Sequence, residues 1–329
     1  MPRRPLATAC VLVALLAGCG GGSGASPGST PGAPAPSPRP ADPSPVAAFV
    51  EPPSSPGCVP EYLQLPARLG LARDPAARSR LLAAAPHPAP PVDDLAARVR
   101  ALSGADRLAG VATWTVGPPR PRGAAVLRSL EARDPLFGSW PAVRLAPPGR
   151  GPHPAVLLLH GHGDTLEDAL ALRFGDALAA AGHVVLAPSL RAYWDGACED
   201  EAAWALLEAG ISLLGVHLTE AARAVEQLGA DPDVDPARIF VVGHSGGSTL
   251  ARLLPAVAPV AGVISDGPPS FGAPPVDGGI GDDFVPALRA LEGPLRLDGA
   301  LGVPAVALTI GPEGSSEAVL AQLRAWGSR

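Results

Sequence analysis

The stretch ARIFVVGHSGGSTLARLL, from Ala237 to Leu254, decides the fold. Its first part, residues 238–243, is a short apolar run of the kind found in strands buried on both faces. Its last part, residues 246–254, has the pattern of a helix. Between them Gly243-His244-Ser245-Gly246-Gly247 fits G-x-S-x-G. A strand, a glycine turn and a helix in this order put a serine hydroxyl at the tip of a strained turn, ready to attack an electrophile. Glycine is needed at 243 and 247 because side chains there would collide with the neighbouring strand and helix. The Gly246 N–H then opens the helix and points at a developing oxyanion. The rival reading is a glycine-rich turn without catalysis, holding a phosphate at the helix start.

Outward from this stretch, AVLLLH (155–160), HVVLAP (183–188), VAGVIS (260–265) and VPAVALTIG (303–311) read as further buried strands. Helical patterns cover 166–181, roughly 201–228, and a last segment ending near Trp326. Short β-prone pieces, Val111–Val116, Ala124–Leu127 and Ala142–Leu145, come earlier, between Gly/Pro turns. Residues 58–104 look partly helical, with DDLAARVRALSG as the clearest helix, closed by its glycine. The alternation predicts an α/β fold. The expected sheet is doubly wound and mostly parallel, with short antiparallel strands at its N-terminal edge. No internal repeat is evident.

A second motif, His160-Gly161-His162-Gly163-Asp164, follows the first of the long buried strands. Its His162 N–H is the expected second donor of an oxyanion hole. H-x-H-x-D also resembles the zinc loop of metallo-β-lactamase-like hydrolases, which would use His160, His162 and Asp164. That pattern continues with another histidine where this chain has Thr165, and it leaves the serine turn unexplained, so no metal or other cofactor is expected.

With both motifs in place, the chain from about 110 to 326 resembles the α/β-hydrolase superfamily, closest to its dienelactone-hydrolase and acetyl-xylan-esterase-like branch. PAVLLLHGHGD, AAAGHVVLAPSLR, GISLLGVHLTEAARAVEQL, DVDPARIFVVGHSGG and FVPAL carry the likeness, in order. The resemblance implies an α/β-hydrolase sheet and hydrolysis of a small-molecule ester through an acyl-enzyme on Ser245. It also implies an oxyanion hole from the His162 and Gly246 amides.

The base is where the sequence departs from this pattern. The family order is serine, acid, histidine, yet none of the seven histidines (87, 153, 160, 162, 183, 217, 244) follows Ser245. His153 and His183 belong at the wrong strand ends, and the His244 side chain should point away from the pocket. His87 lies outside the core pattern, and His217 sits in a helix that cannot be placed. His160 and His162 lie at the correct edge of the sheet. For the acid, Glu313 and Asp266 are both candidates, and each could equally be an ordinary loop carboxylate. Three readings stay open: a serine esterase with an unorthodox or externally supplied base, a degenerate hydrolase that binds without turnover, and a metal-dependent hydrolase. The segment that would carry the family's histidine, after the last helix, is absent from the chain, and a truncated sequence stays open beside these readings. Tyr193, Trp194 and Trp204 fall near a plausible pocket rim, although packing explains them as well.

The bulk properties agree with an enzyme-sized single body. The chain has 329 residues, 25 basic, all of them arginine, and 31 acidic. No basic face for nucleic acid is expected. The N-terminus MPRRPLATACVLVALLAGCGGG has a positive start and an apolar run too short to span a bilayer. Leu16-Ala17-Gly18-Cys19 then resembles a bacterial lipobox, which makes Cys19 a lipidation site. The expected plan is a signal peptide over 1–18, a disordered Gly/Pro/Ser-rich tether over 19–57 and a hydrolase-like domain over 58–329, with 58–104 as a helical extension. Loss of residues 1–18 removes Arg3 and Arg4 and no acid, so the formal charge of −6 becomes −8. The expected location is the cell envelope of a bacterium, with the body held to the membrane by lipid. In that oxidising setting Cys58 and Cys198 could pair.

Overall fold

A parallel sheet needs both faces covered, and the strand sequences show how each face is served. The computed structural model describes residues 60–328 apart from 73, 77, 78, 80–93, 109, 194, 195, 268–270, 272–284 and 312. The signal, tether, Cys19, Cys58, His87 and Trp194 readings lie outside the described residues. Those residues all belong to one unit, 46–329. The strands are β1 (Thr113–Val116), β2 (Arg120–Arg122), β3 (Ala125–Asp134), β4 (Gly138–Ala146), β5 (His153–Leu159), β6 (Val184–Pro188), β7 (Val234–Gly243), β8 (Gly262–Ser265) and β9 (Ala305–Ala307). They form one sheet in the order β1-β3-β4-β6-β5-β7-β8-β9, with β2 also on β3. Pairs up to β4–β6 are antiparallel; from β6–β5 onward they are parallel. The expected sheet is therefore present, and its antiparallel edge is longer than the sequence suggested.

The helices around the sheet include α1 (Pro60–Arg68), α2 (Leu95–Ser103), α3 (Leu166–Ala171), α4 (Gly175–Ala180), α5 (Gly196–Glu208), α6 (Leu213–Ala230), α7 (Gly246–Leu253), α8 (Glu292–Leu295) and α9 (Ser316–Gly327). Alternate residues of each central strand enter different cores. In β5, Ala155, Leu157 and Leu159 face one core, while Val156 and Leu158 face the other. In β7, Ile239 and Val241 oppose Phe240 and Val242 in the same way. This period of two explains why these runs are apolar throughout. The second core is closed by α9, whose Trp326 ring stacks on Phe240 at 6.0 Å and 21°. Trp326 also lies on the backbone of Gly262, where a Cβ would stand 2.7 Å from the ring.

Four boundaries correct the sequence reading. The helix expected over 166–181 is two helices, broken where Phe174 takes φ 71°. The helix expected over 201–228 is also two, bent by 100°. Gly210 at φ 73° ends the first. Ser212 caps the second, accepting the Gly215 N–H at 3.0 Å while its hydroxyl donates to Ser103 O at 2.6 Å. The strand expected over 303–311 shortens to three residues, whereas Ala124–Leu127 extends to a ten-residue strand. No single helix among the described residues is long and apolar enough to cross a membrane.

The N-terminal extension is built into the body through buried charge. Tyr62 of α1 donates to both carboxylate oxygens of Glu220 of α6 at 2.9 Å. Arg191 donates to the same carboxylate and, at 2.7 Å, to Phe137 O. Its guanidinium lies 4.5 Å from the Tyr62 ring centre and 5.2 Å from that of Trp140. Burial, more than any charge, pushes the Tyr62 hydroxyl well above the usual tyrosine range.

Candidate active site

β7 ends at Gly243, and the chain turns so sharply that Ser245 takes φ 51° and ψ −120° before α7 begins at Gly246. This left-handed backbone is costly for a residue with a Cβ, so the surroundings must impose it. They do so through close approach. A Cβ on Gly243 would stand 2.2 Å from Gly247 O, and one on Gly247 would stand 2.3 Å from Leu159 O and 2.6 Å from His160 O. The collisions expected from the motif are thus real and involve backbone atoms that cannot swing aside. Gly247→Ala should cost about 3 kcal/mol or more, seen as a lower urea midpoint or loss of soluble protein; a wild-type midpoint would refute this account of the turn.

Ser245 is exposed at the tip, and Gly246 N–H lies in the first turn of α7, where the helix supplies no acceptor. The 160–164 loop lies beside it: a Cβ on Gly161 would be 2.8 Å from Ser245 Cβ and 2.9 Å from His244 Cδ2. The loop is rigid for clear reasons. His160 is buried; its Nδ1–H donates to Gly161 O at 2.9 Å, and its Nε2 accepts the Leu190 N–H at 2.9 Å. Asp164 accepts the Gly161 N–H at 3.0 Å and two Arg173 N–H groups at 2.7 and 3.0 Å. Burial pushes Asp164 up, but Arg173 and the Gly161 N–H outweigh it and hold it below the usual carboxylate range. With His160 spent on backbone and Asp164 on Arg173, the metal reading of this loop loses two of its three ligands, which corrects it. No three His, Cys, Asp or Glu side chains gather as a metal would require among the described residues.

Burial lowers the His160 pKa to about 4. The folded chain then refuses a proton that the unfolded chain accepts near pH 6.5, so stability falls as pH drops through that window. Between pH 7 and 4.5 this single group should account for about 2 kcal/mol. Urea melts at the two pH values should therefore show a shallower dependence in His160→Gln; an unchanged dependence would remove His160 as its cause.

His162 points differently. Its ring stacks on Tyr193 at 4.0 Å and 18°, and its Nε2 lies 3.1 Å from Glu199 Oε1. The Glu199 side chain, on α5, is 7% exposed and that of His162 is 34% exposed. Glu199 was not legible as a site residue, because nothing in its own neighbourhood marks it. Asp266, just after β8, sits under the turn. It accepts the Ser245 N–H at 3.0 and 3.1 Å and binds His244 Nδ1 and Ser248 Oγ. Burial raises Asp266, but these donors outweigh it and leave the carboxyl low.

The sheet order, the strained serine between β7 and α7 and the adjoining loop coincide with a match to the profile of the alpha/beta hydrolase family over residues 156–327, a little over half the chain. The chain belongs to the alpha/beta hydrolase family. No curated protein matches this hydrolase in sequence. Among solved structures, a candidate acetyl xylan esterase from Bacteroides fragilis is similar, with TM-score 0.53, 16% identity, and 76% of this chain and 77% of that one covered. At that identity the likeness is one of fold. Acetyl xylan esterase 1 from Thermoanaerobacterium sp. aligns with TM-score 0.37 and 19% identity, over 59% and 63% of the two chains. A glucuronoyl esterase from Solibacter usitatus aligns with TM-score 0.37 and 14% identity, over 66% and 59%.

The hydrolase places the remaining candidates as follows. His244 is turned onto Asp266, with Nε2 3.9 Å from Asp164. Glu313 is exposed in the turn before α9. His217, unplaced in the sequence, is fully buried in α6; its Nε2–H donates to Arg191 O at 3.0 Å and its ring meets Tyr193 edge-on at 5.0 Å. His153 and His183 begin β5 and precede β6, at the strand ends away from Ser245. Tyr193 is buried rather than a rim residue, and Trp204 is exposed on α5. Cys198 is disulfide-bonded; Cys58, its expected partner, lies outside the described residues.

Proposed function

We propose that this chain is a serine hydrolase of small carboxylic esters, working through an acyl-enzyme on Ser245. The observation that carries the reading is Ser245 at φ 51°, exposed between β7 and α7 with the Gly246 amide beside it. That arrangement presents a nucleophile next to a donor for the tetrahedral oxyanion. The His162 amide, from the adjoining loop, is the proposed second donor. Hydrolysis of p-nitrophenyl acetate by the full chain, beside Ser245→Ala and with chelator, tests the reading; turnover that survives in the variant would end it. A second reading, an ester-binding protein without turnover, is favoured by the engagement of Asp266 with the turn itself. Covalent labelling by an alkyl fluorophosphonate separates the two. The Leu16–Cys19 stretch supports a lipid-anchored place in a bacterial envelope. Radiolabelled palmitate incorporation that persists in Cys19→Ala would count against it.

A further inference from the structure

G-x-S-x-G leaves the position after the serine open, yet this chain has glycine there. The reason is His162. A Cβ on Gly246 would stand 2.4 Å from His162 Cε1 and 2.6 Å from Nδ1. The imidazole therefore rests directly against the residue that follows the nucleophile, in space that only a glycine leaves. Tyr193 stacks on the ring at 4.0 Å, and its Cε2 would itself stand 3.0 Å from that Cβ. Tyr193 is itself fixed, because its carbonyl accepts the Gly163 N–H at 2.7 Å and the His217 ring meets it edge-on. On the far side Glu199 Oε1 lies 3.1 Å from Nε2, its side chain almost wholly removed from water. A buried carboxylate on one ring nitrogen selects the tautomer: Nε2–H donates to Glu199, and the lone pair is on Nδ1, the nitrogen next to the elbow.

We propose that His162 is the general base for Ser245 and that Glu199 is its positioning residue. The inference rests on the serine-hydrolase reading above. His162 Nδ1 takes the Ser245 hydroxyl proton as Oγ bonds to the ester carbonyl carbon. The C=O π pair moves to the carbonyl oxygen, facing the Gly246 N–H. The imidazolium, held by Glu199, then gives that proton to the leaving alkoxide as the ester C–O bond breaks. Water, deprotonated by the same nitrogen, then bonds to the acyl carbon; the acyl C–Oγ bond breaks, Ser245 Oγ takes that proton back, and the acid leaves. The acting residues occur in the chain as histidine, acid and serine, with both partners ahead of the nucleophile. His244 serves the turn instead. Its Nδ1 is on Asp266, which also holds the Ser245 N–H, so it secures the turn from beneath.

The test is p-nitrophenyl acetate hydrolysis by the full chain across pH, in wild type, Ser245→Ala, His162→Ala, Glu199→Gln, Glu199→Asp and Gly246→Ala. His162→Ala should lose about 10²–10⁴-fold in kcat with KM little changed, and added imidazole should restore part of it, but none in Ser245→Ala. Glu199→Gln should lower kcat and move the acid limb of the profile to lower pH, since the imidazolium loses its carboxylate; Glu199→Asp should recover part of both. Gly246→Ala should lower kcat by displacing the ring. Ser245-dependent turnover at the wild-type rate and pH profile in His162→Ala would overturn this assignment and leave the serine-hydrolase reading standing. If His162→Ala does not fold, an unmoved acid limb in Glu199→Gln would overturn it instead. Absence of Ser245-dependent turnover in wild type would overturn both.

Discussion

Ser245→Ala should abolish ester turnover, by about 10³-fold or more in kcat/KM, while leaving the fold intact. The separation of the two effects is what makes the result informative. The Ser245 side chain is exposed, and only its Oγ is lost. Its backbone N–H keeps both contacts with Asp266. Alanine meets the same cost as serine at φ 51°, so the turn should persist. The urea midpoint should then change by less than about 1 kcal/mol. An alkyl fluorophosphonate should label wild type and fail to label the variant. Activity lost together with stability would show that Ser245 serves the turn and would count against its role as nucleophile.

The largest expected loss of stability comes from the buried charge pair of Arg191 and Glu220. Glu220→Ala should destabilise the chain by about 3–5 kcal/mol, because it takes a buried carboxylate away from the Arg191 guanidinium. Arg191 is 4% exposed and Glu220 1%. The neighbouring Tyr62 ring and the Phe137 carbonyl keep Arg191 in place but supply no full charge. Tyr62→Phe deletes one neutral donor from the same carboxylate and should cost only about 1 kcal/mol. Urea unfolding of the two variants gives the comparison directly. Equal losses would mean that the charge pair contributes no more than the hydroxyl, contrary to what its burial implies.

How far the sequence reaches depends on where each interaction lies along the chain. The central strands were legible because two buried faces demand continuous apolar runs, as in residues 155–159 and 238–243. β3 was less legible because its residues alternate between buried and exposed, and its partners, not its own composition, set its length. The two helix breaks escaped because they depend on a positive φ at Phe174 and on a cap at Ser212 that answers to Ser103, far away in sequence. Ser245 was legible from local chemistry alone. Glu199 was not, since its contact with His162 joins positions 37 residues apart in the chain. The signal that could have found this pair was the second glycine, Gly246, at a position the motif leaves free.

Trp326 carries one more consequence. Its ring covers Phe240 and fills the space over Gly262, so one face of the central sheet is sealed by a side chain from the last helix. During synthesis, strands β5 to β8 leave the ribosome well before that helix does. A nascent chain with the serine turn already emerged still shows Phe240 and its neighbours to water, a surface that chaperones grip. The native state can close only after Trp326 has cleared the exit tunnel, well after strands β5 to β8 have emerged.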